Sequence, residues 1–208
     1  MKLYYSPGAC SLSPHIVARE SGLAVDLSKV TFAGAARTTA EGEDFFSVNP
    51  RGGYVPALRL DDDSVLMEGP AIIHYLADQA PDKNLMPERG TKAYYAALSW
   101  VAFVSSELHK GFGPLFRADA PESEKDLAIT KLKKRFVVLN GALAGKPYLL
   151  GDAFSVADAY AYTIMRWMPR GGIALAEFPN LAAFAARMEA RPGVALALAE
   201  EGLESMKA

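Results

Sequence analysis

YYSPGACSLSPHI, residues 4–16, decides how this chain is read. Two tyrosines close a short apolar run that begins at Lys2, the pattern of a brief β-strand. Pro7 and Gly8 then form a turn, and Ser11 opens a helix that tolerates Pro14 because it falls in the first turn. Between turn and helix stands Cys10, the single cysteine among 208 residues. A thiol at a helix N-terminus lies in the positive end of the helix dipole, which favours thiolate. Free cysteine is also among the most buried residue types. Position alone leaves both readings open. No second cysteine follows in a C-x-x-C pattern, which argues against a dithiol oxidoreductase.

Outward from this stretch, residues 1–80 alternate between strand-like and helix-like segments. DLSKVTF is a second strand and EGEDFFSV a short helix. YVPALRL and SVLM flank the acidic turn DDD as a hairpin, and PAIIHYLADQ is a helix with proline in its first turn. The order β-α-β-α-β-β-α predicts a mixed sheet with helices packed on it. Residues 81–90, with two prolines, several charges and a terminal glycine, have the composition of a linker. From 91 to 208 strand signals fade. Alanine-rich helical periodicity predicts helices near 91–110, 122–144, 156–168, 180–190 and 193–201. The fold class is therefore α/β followed by all-α.

Composition narrows the function classes. Half the residues are apolar and 22% are charged, ordinary for a globular chain. A net charge of -2 argues against a nucleic-acid binder. Lys131, Lys133, Lys134 and Arg135 form the one basic cluster and are read as a solvated helix face. One cysteine excludes an internal disulfide, and three histidines (His15, His74, His109) show no metal-ligand spacing. The longest apolar stretch, AYYAALSWVAFV, is too short to span a bilayer, and Pro7 interrupts the start before a signal-peptide core forms. The expected compartment is the cytoplasm.

Three further stretches carry possible chemistry. In NPRGGYVPAL, Val55-Pro56 at a strand start suits a cis-prolyl turn that exposes the Val55 backbone to an extended peptide. In MEGPAII, Glu68 and Gly69 precede a helix whose first N–H groups can hold a carboxylate, though a charge beside the dipole explains Glu68 equally. In FSVADAY, Ser155 and Asp158 form a capping box.

Together these stretches resemble the glutathione S-transferases, and the bacterial beta class in particular. KLYYSPGACSL, ARESG, DFFSVNPRG, VPAL, EGPAI, YLAD, SSELHKGFGPLFR, FSVADAY, RMEARP and EEGL follow the family's order along nearly the whole chain. The resemblance implies a thioredoxin-like N-terminal domain, a helical C-terminal domain, and a homodimer that joins glutathione to hydrophobic electrophiles in detoxification. Glutathione would be a co-substrate, with no resident cofactor, no metal, no nucleic-acid partner and no membrane partner.

It also implies roles for single residues. Cys10 would lie against the glutathione sulfur and can hold it as a mixed disulfide. Val55 would pair with the cysteinyl backbone, Glu68 and Gly69 would hold the γ-glutamyl end, and Arg37 would reach the glycyl carboxylate. Ser106, Glu107 and His109 would approach the site, His109 as donor or proton carrier near the thiol. Phe112, Phe116 and Trp167 would wall the electrophile. Without the resemblance, His109 is a packed histidine and the aromatics are core. In the family Ser155 and Asp158 serve folding. The chain departs from the family pattern at Gly53-Tyr54, where one residue is usual, at Ala102, and at Gly69, which lacks a hydroxyl. Thiol–disulfide or peroxide chemistry through Cys10, and ligand carriage in an apolar cleft, are the competing functions.

Overall fold

The computed structural model describes residues 1–206. The chain divides into two compact units, one of Met1–Leu85 with Pro192–Glu204 and one of Met86–Arg191 with Ser205 and Met206.

The first unit is built on a five-stranded sheet of order β3-β2-β1-β4-β5. Its strands are β1 (Lys2–Tyr5), β2 (Asp26–Ala33), β3 (Ala36–Thr39), β4 (Ala57–Arg59) and β5 (Val65–Met67). β1 and β2 are parallel and connected through helix α1 (Leu12–Ser21), and the remaining pairs are antiparallel. Leu3 stands opposite Leu27 and Leu58, and Tyr4 opposite Ser28 and Ala57. Successive strand residues face opposite sides. Tyr4 and Ala57 therefore share one face, where Val30, Val48 and Val55 pack with them around Phe45 of α2 (Phe45–Val48). Leu3 and Leu58 are fully buried on the other face. α3 (Gly69–Asp78) packs on β4 and β5, and α1 packs on α3.

This is the thioredoxin-like arrangement expected, with one strand more than periodicity predicts. The chain reverses at Gly34, and Arg37, Thr38 and Thr39 then pair with Phe32, Thr31 and Val30. β3 is only four residues long and begins at the end of AGAA, which carries no strand signal, so it shows itself mainly through pairing to β2.

The second unit contains α4 (Lys92–Phe103), α5 (Gly113–Phe116), α6 (Glu122–Ala142), α7 (Val156–Met165) and α8 (Pro179–Glu189). All ten residues of α7 are buried, which makes it the central helix. Its start is fixed by Asp158, whose carboxylate accepts the Ser155 N–H at 2.9 Å, the Ser155 hydroxyl at 2.8 Å and the Leu149 N–H at 2.8 Å. Burial pushes this carboxyl up to about 6, although the three donors pull the other way. The helix predicted over 91–110 is not continuous. α4 ends at Phe103, and Val104–His109 winds as a π-helix before a 3₁₀ turn at Lys110–Phe112. π turns concentrate at functional sites because their extra residue redirects the side chains that follow. Among the described residues no helix is long and apolar enough to cross a membrane.

The last helix, α9 (Pro192–Glu201), belongs to the first unit. The sequence reading places 91–208 in one helical domain, and the structure moves Pro192–Glu204 out of it. The reason is local. A Cβ at Gly193 would stand 2.8 Å from the Glu20 backbone nitrogen, so only glycine lets α9 approach α1 this closely. Val194, Ala197 and Leu198 then bury their side chains. Periodicity identifies such a stripe but not the helix that receives it.

Candidate active site

Cys10 sits one residue ahead of Ser11, the N-cap of α1, and is partly exposed. The turn before it is held tightly: Ser11 Oγ accepts the Ser6 N–H at 3.1 Å and donates to the Ser6 carbonyl at 3.2 Å. The Cys10 thiol reaches the Val55 carbonyl at 3.3 Å. The Val55-Pro56 peptide is cis. On the far side of that turn, a Cβ on Gly69 would lie 3.7 Å from Pro56 Cγ, ordinary contact. Three separate stretches of sequence therefore meet at one end of the sheet: the Cys10 turn, the cis-prolyl turn and the start of α3.

Glu68 adds strain to this corner. Its φ of 72° and ψ of 116° lie where non-glycine residues rarely go. Such outliers cost roughly 1–3 kcal/mol and persist where the surroundings impose them. Glu68 is the exposed N-cap of α3, whose first N–H groups lack helical partners, and its side chain makes no capping hydrogen bond.

Arg37 is placed differently from these. It lies on the outermost strand, its guanidinium 4.6 Å over the Phe32 ring, and it donates to the Gly34 and Ala36 carbonyls at 2.8 and 3.0 Å. It closes its own hairpin. The loop ahead of Val55 turns at Gly52 and Gly53, whose φ are 112° and 63°. Asn49 pins the loop by donating to the Tyr54 carbonyl at 2.7 Å, and the Tyr54 side chain stands two-thirds exposed. A Cβ on Gly53 would stand 2.8 Å from the Phe46 ring. Gly53→Ala is therefore expected to cost about 1–2 kcal/mol through its backbone angle alone. Thermal denaturation checks this, and an unchanged midpoint would show that the loop relaxes.

Sequence reasoning missed the support behind Cys10. Glu201 of α9 accepts the Gly8 N–H at 2.8 Å, in the turn two residues before Cys10, and contacts His15 Nδ1 at 2.9 Å. The other ring nitrogen of His15 meets Glu200 at 2.7 Å, and Arg19 donates to the same Glu200 oxygen. His15 and Glu201 are fully buried as a pair. Burial pushes Glu200 up, but the Arg19 and His15 hydrogen bonds outweigh it and hold this carboxyl below its usual range. The doublet in EEGL is visible in the sequence; its partners, up to 193 residues away, are not.

In the second unit, His109 closes the π-helical turn. Its Nδ1 lies 2.6 Å from the Tyr160 hydroxyl, and its ring meets Trp167 edge-on at 5.1 Å between centroids. Burial, with Lys110 adding to it, pushes His109 down to about 4. Trp167 also packs edge-on against Phe116 at 4.9 Å and Phe112 at 5.6 Å. Phe116 is 46% exposed and Phe112 fully buried, so Phe116 presents surface while Phe112 supports Trp167 from behind. Glu107 pairs with Arg135 of α6 at 2.6 Å, and Ser106 donates to the Ala102 carbonyl at 3.0 Å.

A thioredoxin-like unit with a thiol facing a cis-prolyl turn, followed by a helical unit, is the architecture of a glutathione S-transferase, and this chain belongs to that family. The sequence pattern of the glutathione S-transferase N-terminal domain matches residues 8–79, and that of the C-terminal domain matches residues 103–192. The chain is 43% identical to the glutathione S-transferase GstA of Escherichia coli O157:H7, over 98% of its own length and all of that protein. It superposes with a TM-score of 0.92 on a sphingomonad glutathione S-transferase solved with glutathione bound, at 45% identity, covering 98% of this chain and 100% of that one. The beta-class glutathione S-transferase of Sphingomonas chungbukensis gives the same TM-score, identity and coverage.

Proposed function

We propose that this chain activates glutathione as its thiolate and joins it to hydrophobic electrophiles. The observation that carries the reading is the Cys10 thiol on the Val55 carbonyl beside a cis Pro56. An extended cysteinyl segment laid along Val55 like an added strand has its sulfur beside Cys10 and the start of α1. Glu68 and the Gly69 N–H receive the γ-glutamyl end. For Arg37 to hold the glycyl carboxylate, its guanidinium leaves the Gly34 and Ala36 carbonyls. Glutathione's S–H loses its proton to solvent, and the sulfur electron pair forms a bond to the electrophilic carbon. A leaving group then departs with the electron pair of its bond to that carbon, or, at an activated double bond, the π pair moves to the electron-withdrawing end and takes a proton from solvent. Lowering the thiol pKa and holding both reactants together supply the rate.

Phe116, backed by the buried Trp167, offers apolar surface to the electrophile. Apolar walls discriminate weakly, which suits a range of acceptors. A homodimer in the cytoplasm completes the proposal, with glutathione as co-substrate. The partial exposure of Cys10 favours a second activity, a mixed disulfide formed when the Cys10 thiolate attacks oxidised glutathione and releases one glutathione thiolate.

Intact mass after incubation with oxidised glutathione, followed by turnover with a general aromatic electrophile, separates the two. The adduct is expected on the wild type and absent from Cys10→Ala, while the variant keeps measurable conjugation because glutathione supplies the attacking sulfur. Failure of the wild type to bind glutathione by calorimetry would overturn the reading in favour of a ligand carrier.

A further inference from the structure

The roles proposed for the Cys10 turn leave the contact between Tyr160 and His109 unassigned. Tyr160 lies on α7 with 2% of its surface exposed, and its hydroxyl stands 2.6 Å from His109 Nδ1. The two rings meet edge-on at 86°, and Trp167 closes a second side of the imidazole at 73°. The ring is thus held in one orientation by groups of its own unit. Its hydrogen bond can run either way, from the phenol to a bare Nδ1 or from Nδ1–H to the phenol oxygen.

We propose that Tyr160 is a positioning residue that donates its phenolic proton to His109 Nδ1, fixing the neutral imidazole with its proton on Nε2 so that His109 acts as a standing hydrogen-bond donor rather than a proton shuttle. The proposal rests on the reading of His109 as part of the glutathione transferase site.

Three observations support the direction. A phenol O–H is a stronger donor than a neutral imidazole N–H, and imidazole nitrogen is a better acceptor than phenol oxygen. The separation of 2.6 Å suits a hydroxyl donor, whose bonds are shorter than those of N–H donors. The burial that pushes His109 down to about 4 keeps the ring neutral near pH 7, with one lone pair to receive a proton and one N–H to offer. Once Nδ1 is an acceptor, the N–H is on Nε2. A thiolate, or charge developing on an electrophile, is the acceptor such a donor suits, because the bond strengthens as charge builds.

The direct test is long-range proton–nitrogen correlation on the intact, nitrogen-15-labelled protein at pH 7. The wild type is expected to show His109 with a protonated Nε2 and a bare Nδ1, and Tyr160→Phe to lose this single tautomer. In turnover, Tyr160→Phe should lower kcat about tenfold, the worth of roughly one hydrogen bond, with much less change in KM for glutathione. Introduced into His109→Gln, the same substitution should add little, because both act through one group. A wild-type ring protonated at Nδ1 overturns the proposal, as does a kcat loss that persists undiminished in the His109→Gln background. The tautomer is read without turnover. A protein with the expected tautomer and no glutathione chemistry would therefore refute the transferase reading and leave the Tyr160 assignment standing.

Discussion

Glu201→Ala is expected to destabilise the protein by about 2–4 kcal/mol, the cost of removing a carboxylate that two hydrogen bonds tie into the fold. His15 and Glu201 have no exposed side-chain surface, and both His15 nitrogens face carboxylate oxygens. Removing Glu201 takes the acceptor from a part-buried Gly8 N–H and the hydrogen-bond partner from the fully buried His15 Nδ1. The loss is read from the urea midpoint and slope. Glu201→Gln retains an acceptor oxygen and should lose less. The effect should also reach the thiol, because Gly8 lies in the turn that presents Cys10, and alkylation of Cys10 in the folded variant should change. A midpoint shift worth less than about 1 kcal/mol, the value of an ordinary hydrogen bond, would show that this pair carries no special weight.

Asp158→Ala should cost about 2–4 kcal/mol, combining a lost cap with buried donors left unpaired. The cap begins a helix that is buried along its whole length, so the damage falls on the core of the helical unit. Activity per folded molecule should survive, and an unchanged midpoint with lost activity would place Asp158 in the site. The pH dependence has a definite sign. Burial raises this carboxyl to about 6, above the reference near 3.9 for an unfolded chain. The folded state therefore binds the proton more tightly. The stability this contributes is fully present below about pH 4 and is lost as pH rises through about 6. Asp158→Asn has no such group, so the advantage of wild type over this variant should shrink between pH 4 and pH 7.

What the sequence makes legible follows from the range of each interaction. The Cys10 turn, the Val-Pro turn and the Glu68-Gly69 helix start are local patterns, and the structure gathers all three at one end of the sheet. The Ser155–Asp158 box is local too, although its third donor, Leu149, lies outside the motif. β3 escapes a reading of periodicity because it is only four residues long and follows a glycine-alanine turn, so its pairing with β2 identifies it. The π turn escapes it because SSELH suits an α-helix, and nothing local signals the extra residue before His109. The Arg37 hairpin contacts and the Tyr160–His109 bond are decided by where folded elements pass one another.

The helix α9 has a consequence for how this protein is made. The two family patterns end at residues 79 and 192, so a fragment cut to either one omits most of the segment that packs on α1. A ribosome releases residues 1–85 long before it makes Glu200 and Glu201, and until then His15 has neither carboxylate partner. The turn that carries Cys10 is thus completed only once a residue 193 positions beyond Gly8 has been made. An isolated N-terminal fragment would show the family's strands and lack the acceptor that secures Gly8. Supplying residues 192–204 in trans is the direct way to give that acceptor back.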